Sequence, residues 1–270
     1  KPKGILHSLE RVLLKFQTPR KSQNTLLFLL FDHFGGINTL LSVFSNGGMG
    51  IHLPDRNPHT VGRIIADSRA QLLPATPSFL NLFLISGCLN SFDLSSLRLV
   101  TYGTEVMPEG TLQRLIDKLP NVDFKQTFGL SEVGVLRSVS EHNGSAWMRI
   151  GGEGFEVKII EGTLWIRSEA NMIGYLNAPQ PFDEDGWFCT NDRVLQRGEL
   201  IRILGRESDM INVGGQKLLP LDVEEVLLRD DQVIEAAVYG ESHSLLGQVV
   251  VADISVDGLF NHSALRERLR

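Results

Sequence analysis

The chain has 270 residues, of which 42% are hydrophobic and 21% are charged, and its formal net charge at pH 7 is −6. This balance indicates a globular protein with a sizeable core, and because charges of both signs are scattered along the sequence it argues against a nucleic-acid partner. The longest apolar run, residues 25–31, is far too short for a membrane span, and the two distant cysteines predict a reduced, cytoplasmic setting without a disulfide framework or a metal site.

The first half of the chain alternates strand-like and helix-like patterns. Short apolar runs predict strands at residues 26–30, 50–53, 72–73, 97–102 and 122–126. Amphipathic spacing predicts helices at residues 36–45, 59–69, 77–86 and 109–118, the third of them capped by Thr76 and opened by Pro77. Because the connections are long enough for crossovers, we expect an α/β fold in which helices surround a mostly parallel sheet up to about residue 150.

The pattern changes after about residue 150, where short strands alternate with glycine-containing turns. Strands are predicted at residues 155–160, 163–167 and 199–204, which suggests a small β-barrel-like subdomain over residues 151–205. We assign residues 1–205 to one large domain and residues 206–270 to a truncated small α+β C-terminal domain. In that second domain the sequence predicts a helix at residues 221–228, strands at 233–239 and 249–256, and a last helix that begins near His262.

Three segments carry residue types suited to chemistry. In the first, residues 99–105, a strand runs into a turn at Gly103, and in an open parallel sheet this end of a strand is where ligands dock. Gly103 would let a flat ligand approach the backbone. The second, QTFGLSE at residues 126–132, joins an aromatic ring that could stack on a base to a hydroxyl and a carboxylate suited to phosphate and a hard cation. A helix N-terminus capped by Ser131, with Glu132 near the helix dipole, is the alternative interpretation.

The third segment is DGWFCTND at residues 185–192, which is followed by Arg206. Asp192 could accept two hydrogen bonds from a ribose diol, and Arg206 could donate to the same sugar or to a phosphate. A surface ion pair between the two residues is the alternative interpretation. Taken singly, none of the three segments identifies a function.

The order and spacing of these segments together resemble the adenylate-forming superfamily, which includes acyl-CoA synthetases, aryl-CoA ligases, amino-acid adenylation domains and firefly-type luciferases. The sequence KPKGILHS at residues 1–8 resembles the end of the phosphate loop of that superfamily. Further matching motifs cover nearly the whole chain: YGTE at 102–105, QTFGLSE at 126–132, GTLWI at 162–166, GY at 174–175, DGWFCTND at 185–192, and the stretches 205–224 and 233–238 with Gly247.

The resemblance implies two half-reactions. A carboxylate attacks the α-phosphate of ATP, held with Mg²⁺, to give an acyl-adenylate and pyrophosphate, and then coenzyme A or a phosphopantetheine thiol takes the acyl group. The implied catalytic residues are Ser131 and Glu132, which would serve phosphate and magnesium, and Lys3 at the end of the phosphate loop. The implied nucleotide contacts are Tyr102, Gly103, Thr104, Glu105 and Phe128 around the adenine, and Asp192 and Arg206 on the ribose.

The resemblance also implies a pocket for the acid, formed by Asp32, His33 and Phe34 of the sequence FDHFGG together with Gly129 and Leu130. His33 falls where ligases of the superfamily often carry an aromatic residue or a histidine that gates the pocket. Asp32 leaves an amino-acid substrate open, since amino-acid adenylation domains hold an aspartate nearby that pairs with the substrate ammonium. Phe34 stands where those domains have a serine, which favours a carboxylic acid without an amino group.

Two further expectations from the resemblance concern the C-terminal part. Ser208 stands at the hinge about which the small domain rotates in the superfamily, in place of the usual aspartate or lysine. Gly214, Gly215 and Gln216 resemble the loop that lines the pantetheine tunnel of acyl-CoA synthetases. This loop favours thioester formation over light emission.

The 270 residues lack the phosphate loop proper and the terminal lysine of the superfamily. We therefore interpret them as an internal fragment, and we expect weak nucleotide binding and poor turnover from the fragment alone. Four functions stay open for the whole protein. The first is an acyl- or aryl-CoA synthetase that acts on a small carboxylic acid, and the second is an amino-acid adenylation module that serves a carrier protein. The third is a non-catalytic nucleotide-binding or scaffold protein, and the fourth, with the weakest support, is an oxygen-dependent luciferase.

Overall fold

The computed structural model describes residues 2–230, 232–256 and 258, which form a five-stranded, a six-stranded and a four-stranded sheet and two short strand pairs. The helices, in chain order, are α1 (Leu9–Leu14), α2 (Phe34–Ser45), α3 (Pro58–Ser68), α4 (Pro77–Ile85), α5 (Cys88–Ser91), α6 (Glu109–Lys118) and α7 (Pro220–Leu227). The strands are β1 (Ile5–Leu6), β2 (Asn24–Leu26), β3 (Met49–Ile51), β4 (Leu72–Ala75), β5 (Leu99–Tyr102), β6 (Asp123–Gln126), β7 (Gly129–Leu130), β8 (Gly134–Val135), β9 (Arg137–Ser140), β10 (Met148–Gly151), β11 (Phe155–Ile160), β12 (Thr163–Ser168), β13 (Gly174–Tyr175), β14 (Phe188–Arg197), β15 (Leu200–Arg206), β16 (Ile211–Val213), β17 (Gln216–Leu218), β18 (Val233–His243) and β19 (Gly247–Val256). Within these described ranges no helix is both long enough and apolar enough to cross a membrane.

The first half of the chain folds into a parallel sheet with helices packed against it, as the sequence predicts. Its strand order is β3-β2-β4-β5-β6, and every neighbouring pair runs parallel. Leu26, Leu73, Val100 and Phe124 of successive strands are buried in one hydrophobic core with the helices. Burying such a side chain contributes roughly 1.5–3 kcal/mol, so this core is the main force that holds the helices on the sheet.

Local hydrogen bonding explains where α4 begins. The hydroxyl of Thr76 accepts a hydrogen bond from the amide of Phe79, and Pro77 occupies the first position of the helix. Proline is well placed there because the first turn of a helix leaves its amides without partners in any case. The predicted cap at Thr76 is confirmed.

The turn between β2 and α2 differs from the sequence prediction. The strand ends at Leu26 rather than at residue 30, and α2 begins at Phe34 rather than at residue 36. The apolar residues between them leave the sheet and turn sharply, so that a Cβ on Gly36 would overlap the Leu30 carbonyl oxygen. This close approach accounts for the glycine, and an apolar run cannot reveal it.

The six-stranded sheet is antiparallel, in the order β11-β12-β14-β15-β10-β9. A turn closed by a bridge between Gly152 and Phe155 leads from β10 directly into β11, although these strands lie near opposite edges of the sheet. The sheet must therefore curl, which confirms the expected barrel-like shape. The sheet begins with β9 at Arg137, before residue 151, where the β-rich part was expected to start. The apolar pattern does not reveal β9 because its buried residue is the polar Ser138, whose hydroxyl donates to the Gln126 carbonyl oxygen at 2.6 Å.

The C-terminal part forms a four-stranded sheet in the order β17-β16-β19-β18 with α7 packed against it. The predicted helix and both predicted strands are present, and the β18–β19 hairpin extends beyond the expected ends. Arg202 of β15 joins this part to the rest, because it pairs with Glu225 of α7 at 2.5 Å and with Glu109 of α6 at 3.3 Å. The helix predicted near His262 lies outside the described residues.

Candidate active site

The predicted functional segments follow neighbouring strands of the parallel sheet. The acid-pocket sequence at residues 31–36 follows β2, and the segments 102–105 and 126–132 lie at the ends of β5 and β6. In the sheet Tyr102 lies directly opposite Gln126, so the two nucleotide segments begin side by side. Because the carboxyl ends of parallel strands share one edge, and ligands dock at that edge, the fold places all three segments where a ligand site is expected.

Gly103 and Thr127 hold the two nucleotide segments in contact. The amide and the hydroxyl of Thr127 both donate to the Tyr102 carbonyl oxygen, at 2.7 and 3.0 Å. A Cβ on residue 103 would lie 2.5 Å from the Thr127 carbonyl oxygen, closer than real Cβ atoms come. The glycine is therefore explained by the contact between two backbones, whereas the approach of a flat ligand to Gly103 stays a prediction.

The other residues of the first segment differ in exposure. The Tyr102 side chain is 1% exposed and packs in the hydrophobic core, where burial raises the pKa of its phenol. Because its ring is buried in this core, an adenine contact would use the Tyr102 main chain instead. Thr104 is exposed and has a φ of +72°. The Glu105 carboxylate accepts hydrogen bonds from the Ser78 amide and hydroxyl at 2.9 and 2.5 Å, which anchors the segment to the start of α4.

Ser131 and Glu132 lie at the tip of a tight hairpin in which β7 pairs with β8. A Cβ on Gly129 would be 2.8 Å from the Val135 Cα, so the close pairing requires a glycine. Gly134 has a φ of +85°, a left-handed conformation that favours glycine. The interpretation of Ser131 as a helix cap is therefore wrong, because the chain turns back into a strand instead of entering a helix.

Tyr175 holds the Glu132 side chain in place. Its hydroxyl donates to Glu132 Oε1 at 2.6 Å, and burial together with the Glu132 carboxylate raises the pKa of this phenol. Ile5 lies opposite Tyr175 in the β1–β13 pair, and Lys3 Nζ lies 4.6 Å from the centroid of the Tyr175 ring. Two of the predicted catalytic residues thus meet around one tyrosine. Sequence reasoning missed that tyrosine as a site residue, and its signal was the GY motif at residues 174–175.

His7 connects three of the predicted segments. It follows β1 in the sequence that resembles a phosphate loop, and its Nε2 lies 2.7 Å from the Ser131 carbonyl oxygen. Its ring centroid lies 4.9 Å from that of Phe34, the first residue of α2. The acid-pocket sequence and the hairpin are therefore joined through one imidazole, which the sequence analysis did not single out.

The two polar residues of the predicted acid pocket, Asp32 and His33, face solvent. The Asp32 and His33 side chains are 70% and 74% exposed, and Asp32 Oδ1 lies 3.7 Å from His33 Nε2. Phe34 is partly buried, and its ring edge lies 3.8 Å from the position that a Cβ on Gly134 would take. Of the predicted pocket residues, those beside the hairpin are therefore the ones that the structure brings together, and they include the partly buried Gly129 and Leu130.

Asp192 and Arg206 lie opposite each other on β14 and β15. Arg206 is exposed and its Nε lies 3.7 Å from Asp192 Oδ1, whereas the Asp192 residue is only 6% exposed. Burial raises the pKa of Asp192 to about 6, although Arg206 and a hydrogen bond with Thr190 act to lower it. A surface ion pair does not describe this arrangement, because a buried and incompletely paired carboxylate with a raised pKa is typical of a functional site.

The hairpin and the Asp192 strand share one hydrophobic core. Phe128 and Leu130 pack against a buried cluster that contains Val194 of β14 and Ile203 of β15. This core fixes the end of the parallel sheet against the curled sheet. The predicted adenine residue Phe128 therefore contributes to packing and is only partly buried.

The predicted hinge and tunnel residues lie in the C-terminal part. Ser208 is exposed in a 3₁₀ turn at Glu207–Asp209, where its hydroxyl donates to Asp209 Oδ1 at 2.9 Å. Gly214 and Gly215 form the turn of the β16–β17 hairpin with φ values of +58° and +93°, which glycine adopts readily, and Gln216 begins β17. Ser208 thus precedes the four-stranded sheet, and Gly214, Gly215 and Gln216 lie in its β16–β17 hairpin, rather than in the segments at the edge of the parallel sheet.

Glu132 is the residue predicted to hold a cation. Among the residues that the structure describes, no group of three or more His, Cys, Asp or Glu side chains could hold a metal ion. A cation at Glu132 would therefore take most of its ligands from phosphate oxygens and water, an arrangement that Mg²⁺ commonly adopts. Two surface cavities of about 300 and 260 Å³ are lined by none of the predicted site residues.

The chain matches two family models. Residues 1–176 match the model described as AMP-binding enzyme, and residues 222–270 match the model described as AMP-binding enzyme C-terminal domain. The first match alone covers more than half of the 270 residues.

Curated relatives and a solved structure are also similar to the chain. A methyl-dioxo-octahydroindenyl-propanoyl:CoA ligase of Mycobacterium tuberculosis is 32% identical over 232 residues, which are 81% of this chain and 45% of the relative. Indoleacetate–CoA ligase of Aromatoleum aromaticum is 28% identical over 240 residues, 82% of this chain and 47% of the relative. The chain thus spans about half the length of these relatives. The amide bond synthetase McbA from Marinactinospora thermotolerans superposes with a TM-score of 0.83 at 23% identity, over 100% of this chain and 61% of that one, which shows a shared fold.

Proposed function

The chain belongs to the family of AMP-binding enzymes, and on this premise we propose that it is part of an acid–thiol ligase. The enzyme activates a small carboxylic acid with ATP to give an acyl-adenylate, and it then transfers the acyl group to coenzyme A. Both curated relatives described above are named as CoA ligases, which supports a thiol as the acceptor.

The observation that carries the proposal is the arrangement around Tyr175. It brings the Lys3 ammonium, the Glu132 carboxylate and the hairpin tip with Ser131 to one place at the carboxyl edge of the parallel sheet. An ammonium and a hydroxyl suit phosphate oxygens, and a fixed carboxylate suits the hard cation that accompanies them. This set of groups fits the triphosphate of ATP better than it fits a neutral ligand.

The nucleoside end of ATP has its own proposed contacts. Asp192 ionises above a pH of about 6, and its carboxylate would then accept hydrogen bonds from both ribose hydroxyls. The exposed guanidinium of Arg206 lies beside it and would donate to the same sugar. The main chain of residues 103–105 and the partly buried Phe128 would contact the adenine.

The proposed chemistry consists of two displacements. A carboxylate oxygen of the acid attacks the α-phosphorus and pyrophosphate leaves; the thiol then attacks the acyl carbon, AMP leaves, and the thiol proton is released. Mg²⁺ bound with ATP supplies charge neutralisation, and Glu132 is the residue that would hold it. Tyr175 keeps one oxygen of that carboxylate engaged and leaves the other available. Lys3 would place its ammonium against phosphate oxygens, where it stabilises negative charge.

We favour an acid without an amino group as the substrate. An aspartate that recognises a substrate ammonium needs burial to be selective, but Asp32 is exposed and lies beside His33.

A pantetheine carrier protein is the second candidate for the acceptor. We also propose a reduced, cytoplasmic location for the protein.

The test is ATP–pyrophosphate exchange on the full-length protein with octanoate, indole-3-acetate, 4-coumarate and phenylalanine. We expect exchange with at least one of the acids that lack an amino group. Asp192→Asn should lower the exchange rate about tenfold or more, because a charged acceptor is worth about 1.5–3 kcal/mol. Asp93→Asn is the matched control, since Asp93 forms an exposed pair with Arg69 at 3.1 Å and should leave the rate within about twofold.

Other outcomes of this assay would favour the alternatives. Exchange with phenylalanine alone would support an amino-acid adenylation module. ATP binding without exchange for any acid would support a non-catalytic nucleotide-binding protein.

A further inference from the structure

His7 lies between two segments that the proposed function assigns to different substrates. Its Nε2 is 2.7 Å from the Ser131 carbonyl oxygen, in the hairpin proposed to bind phosphate. Its ring centroid is 4.9 Å from that of Phe34, in the helix proposed to line the acid pocket, and the planes of the two rings are inclined by 35°. One side chain therefore contacts both substrate regions.

The hydrogen bond to Ser131 determines which nitrogen of His7 carries a proton. A carbonyl oxygen can only accept, so Nε2 must be protonated and donate. In the neutral ring Nδ1 is then an acceptor, and among the residues described it is buried without a hydrogen-bond partner. The ring is thus oriented by one hydrogen bond and by packing against Phe34, rather than by hydrogen bonds on both sides.

A ring held in this way should pass a displacement from one contact to the other. Movement of Phe34 would shift the imidazole that packs on it, and the 2.7 Å hydrogen bond would carry the shift to the Ser131 main chain. The hairpin is short and closed by tight glycine contacts, so its tip should move as a unit with Ser131 and Glu132. The same linkage must act in the reverse direction.

We propose that His7 is a positioning residue that couples the acid pocket to the phosphate-binding hairpin. The inference rests on the proposed function for the identity of the two substrate regions. It assigns no bond-making step to the imidazole. Through His7, a ligand that binds in the acid pocket changes the geometry of the phosphate-binding hairpin, and a bound phosphate changes the geometry of the pocket.

Two substitutions separate the two contacts of His7. H7F keeps an aromatic ring beside Phe34 and removes the donor to Ser131, whereas H7Q keeps a donor near the position of Nε2 and removes the ring. His59 provides matched controls, because it also packs against a phenylalanine. It is exposed in the first turn of α3, and its ring centroid lies 4.8 Å from that of Phe92. H59F and H59Q make the same chemical changes outside the proposed site.

The experiment places 4-fluorophenylalanine at position 34 of the full-length protein and follows its fluorine resonance while Mg²⁺ and α,β-methylene-ATP are added. We expect the nucleotide analogue to shift the resonance in the wild type and in both His59 variants. H7F and H7Q should each lose more than half of that shift. Calorimetry should show that their affinity for the analogue changes less than about threefold, which a general loss of structure would not allow.

The outcomes distinguish the inference from the proposed function. A wild-type shift that persists in either H7F or H7Q overturns the inference, because the retained contact alone would then be sufficient. Binding of the analogue without any shift in the wild type also overturns it and leaves the proposed function standing. A wild-type protein that does not bind the analogue at all overturns both.

Discussion

Replacing Tyr175 with phenylalanine removes a single oxygen atom from the candidate site. That hydroxyl donates to Glu132 Oε1 at 2.6 Å, while the ring, whose centroid lies 4.6 Å from Lys3 Nζ, is retained in the variant. A hydrogen bond to a charged group is worth about 1.5–3 kcal/mol, and we take the lower end because Tyr175 is only partly buried. Since about 1.4 kcal/mol corresponds to tenfold in rate, kcat/KM for exchange should fall roughly tenfold.

The assay is ATP–pyrophosphate exchange on the full-length protein over a range of Mg²⁺ concentrations. If Tyr175 orients Glu132 towards a cation, Y175F should raise the Mg²⁺ concentration that gives half of the maximal rate. In a background of Glu132→Ala the effect of Y175F should nearly vanish, because the oxygen that accepts the Tyr175 hydrogen bond is already absent.

Tyr239 provides the matched control for this substitution. Its hydroxyl donates to Asp253 Oδ2 at 3.2 Å across the β18–β19 hairpin, so Y239F also removes a tyrosine–carboxylate hydrogen bond. Because that hairpin contains none of the predicted site residues, the exchange rate of Y239F should stay within about twofold of the wild type. Equal rates for Y175F and the wild type at every Mg²⁺ concentration would refute the reasoning.

Three further predictions concern stability. Because burial raises the pKa of Asp192 to about 6, the folded protein holds this proton more tightly than the unfolded chain, and the stability from this group is lost as pH rises from about 4 to above 6. In urea titrations near pH 7.5, Asp192→Asn should therefore have a free energy of unfolding up to about 3 kcal/mol higher than the wild type, whereas near pH 4 the two should be equal. Equal stability of variant and wild type at both pH values would contradict this. Burial, with two nearby arginines, lowers the pKa of Lys15 to about 8, so the free energy of unfolding of the wild type should rise between about pH 8 and 10. Lys15→Met should lack this rise. The same pH dependence of stability in Lys15→Met and the wild type would contradict the prediction. Arg202→Gln should lower the free energy of unfolding by roughly 2 kcal/mol, because it leaves a half-buried glutamate of α7 without its ion-pair partner. Arg149→Gln removes an exposed ion pair and should lower it by less than about 0.5 kcal/mol. Similar losses in both variants would contradict the role of burial.

Periodic apolar patterns explain why most elements were predictable. The helix predicted at residues 109–118 is α6 (Glu109–Lys118), and the strand predicted at 155–160 is β11 (Phe155–Ile160). Strand β9 was missed because its inward residue is the polar Ser138, whose burial is made possible by a hydrogen bond to another strand. A pattern of apolar residues cannot reveal a strand whose buried face depends on a distant acceptor.

Motifs locate the site segments but not the contacts between them. The Tyr175–Glu132 hydrogen bond spans 43 residues of sequence and the His7–Ser131 hydrogen bond spans 124, and both depend on how separate segments pack. The burial of Asp192 depends in the same way on the curl of the antiparallel sheet. Residue roles in the site therefore need the tertiary structure, even where the sequence places every segment correctly.

Backbone strain gives an independent indication of the same site. Among the described residues, four that are not glycine have φ values near +50° to +72°. Arg69 ends α3 and Glu161 lies in the turn between β11 and β12, positions where a left-handed residue is usual. Asn191 lies where the pairing of β14 with β12 is irregular, and asparagine tolerates this conformation better than most residues. The β-branched Thr104 has no such local reason, and it directly precedes Glu105. Strain of about 1–3 kcal/mol at Thr104 persists only where the surroundings impose it, so the fold gives up stability beside one predicted nucleotide contact, as binding sites commonly do.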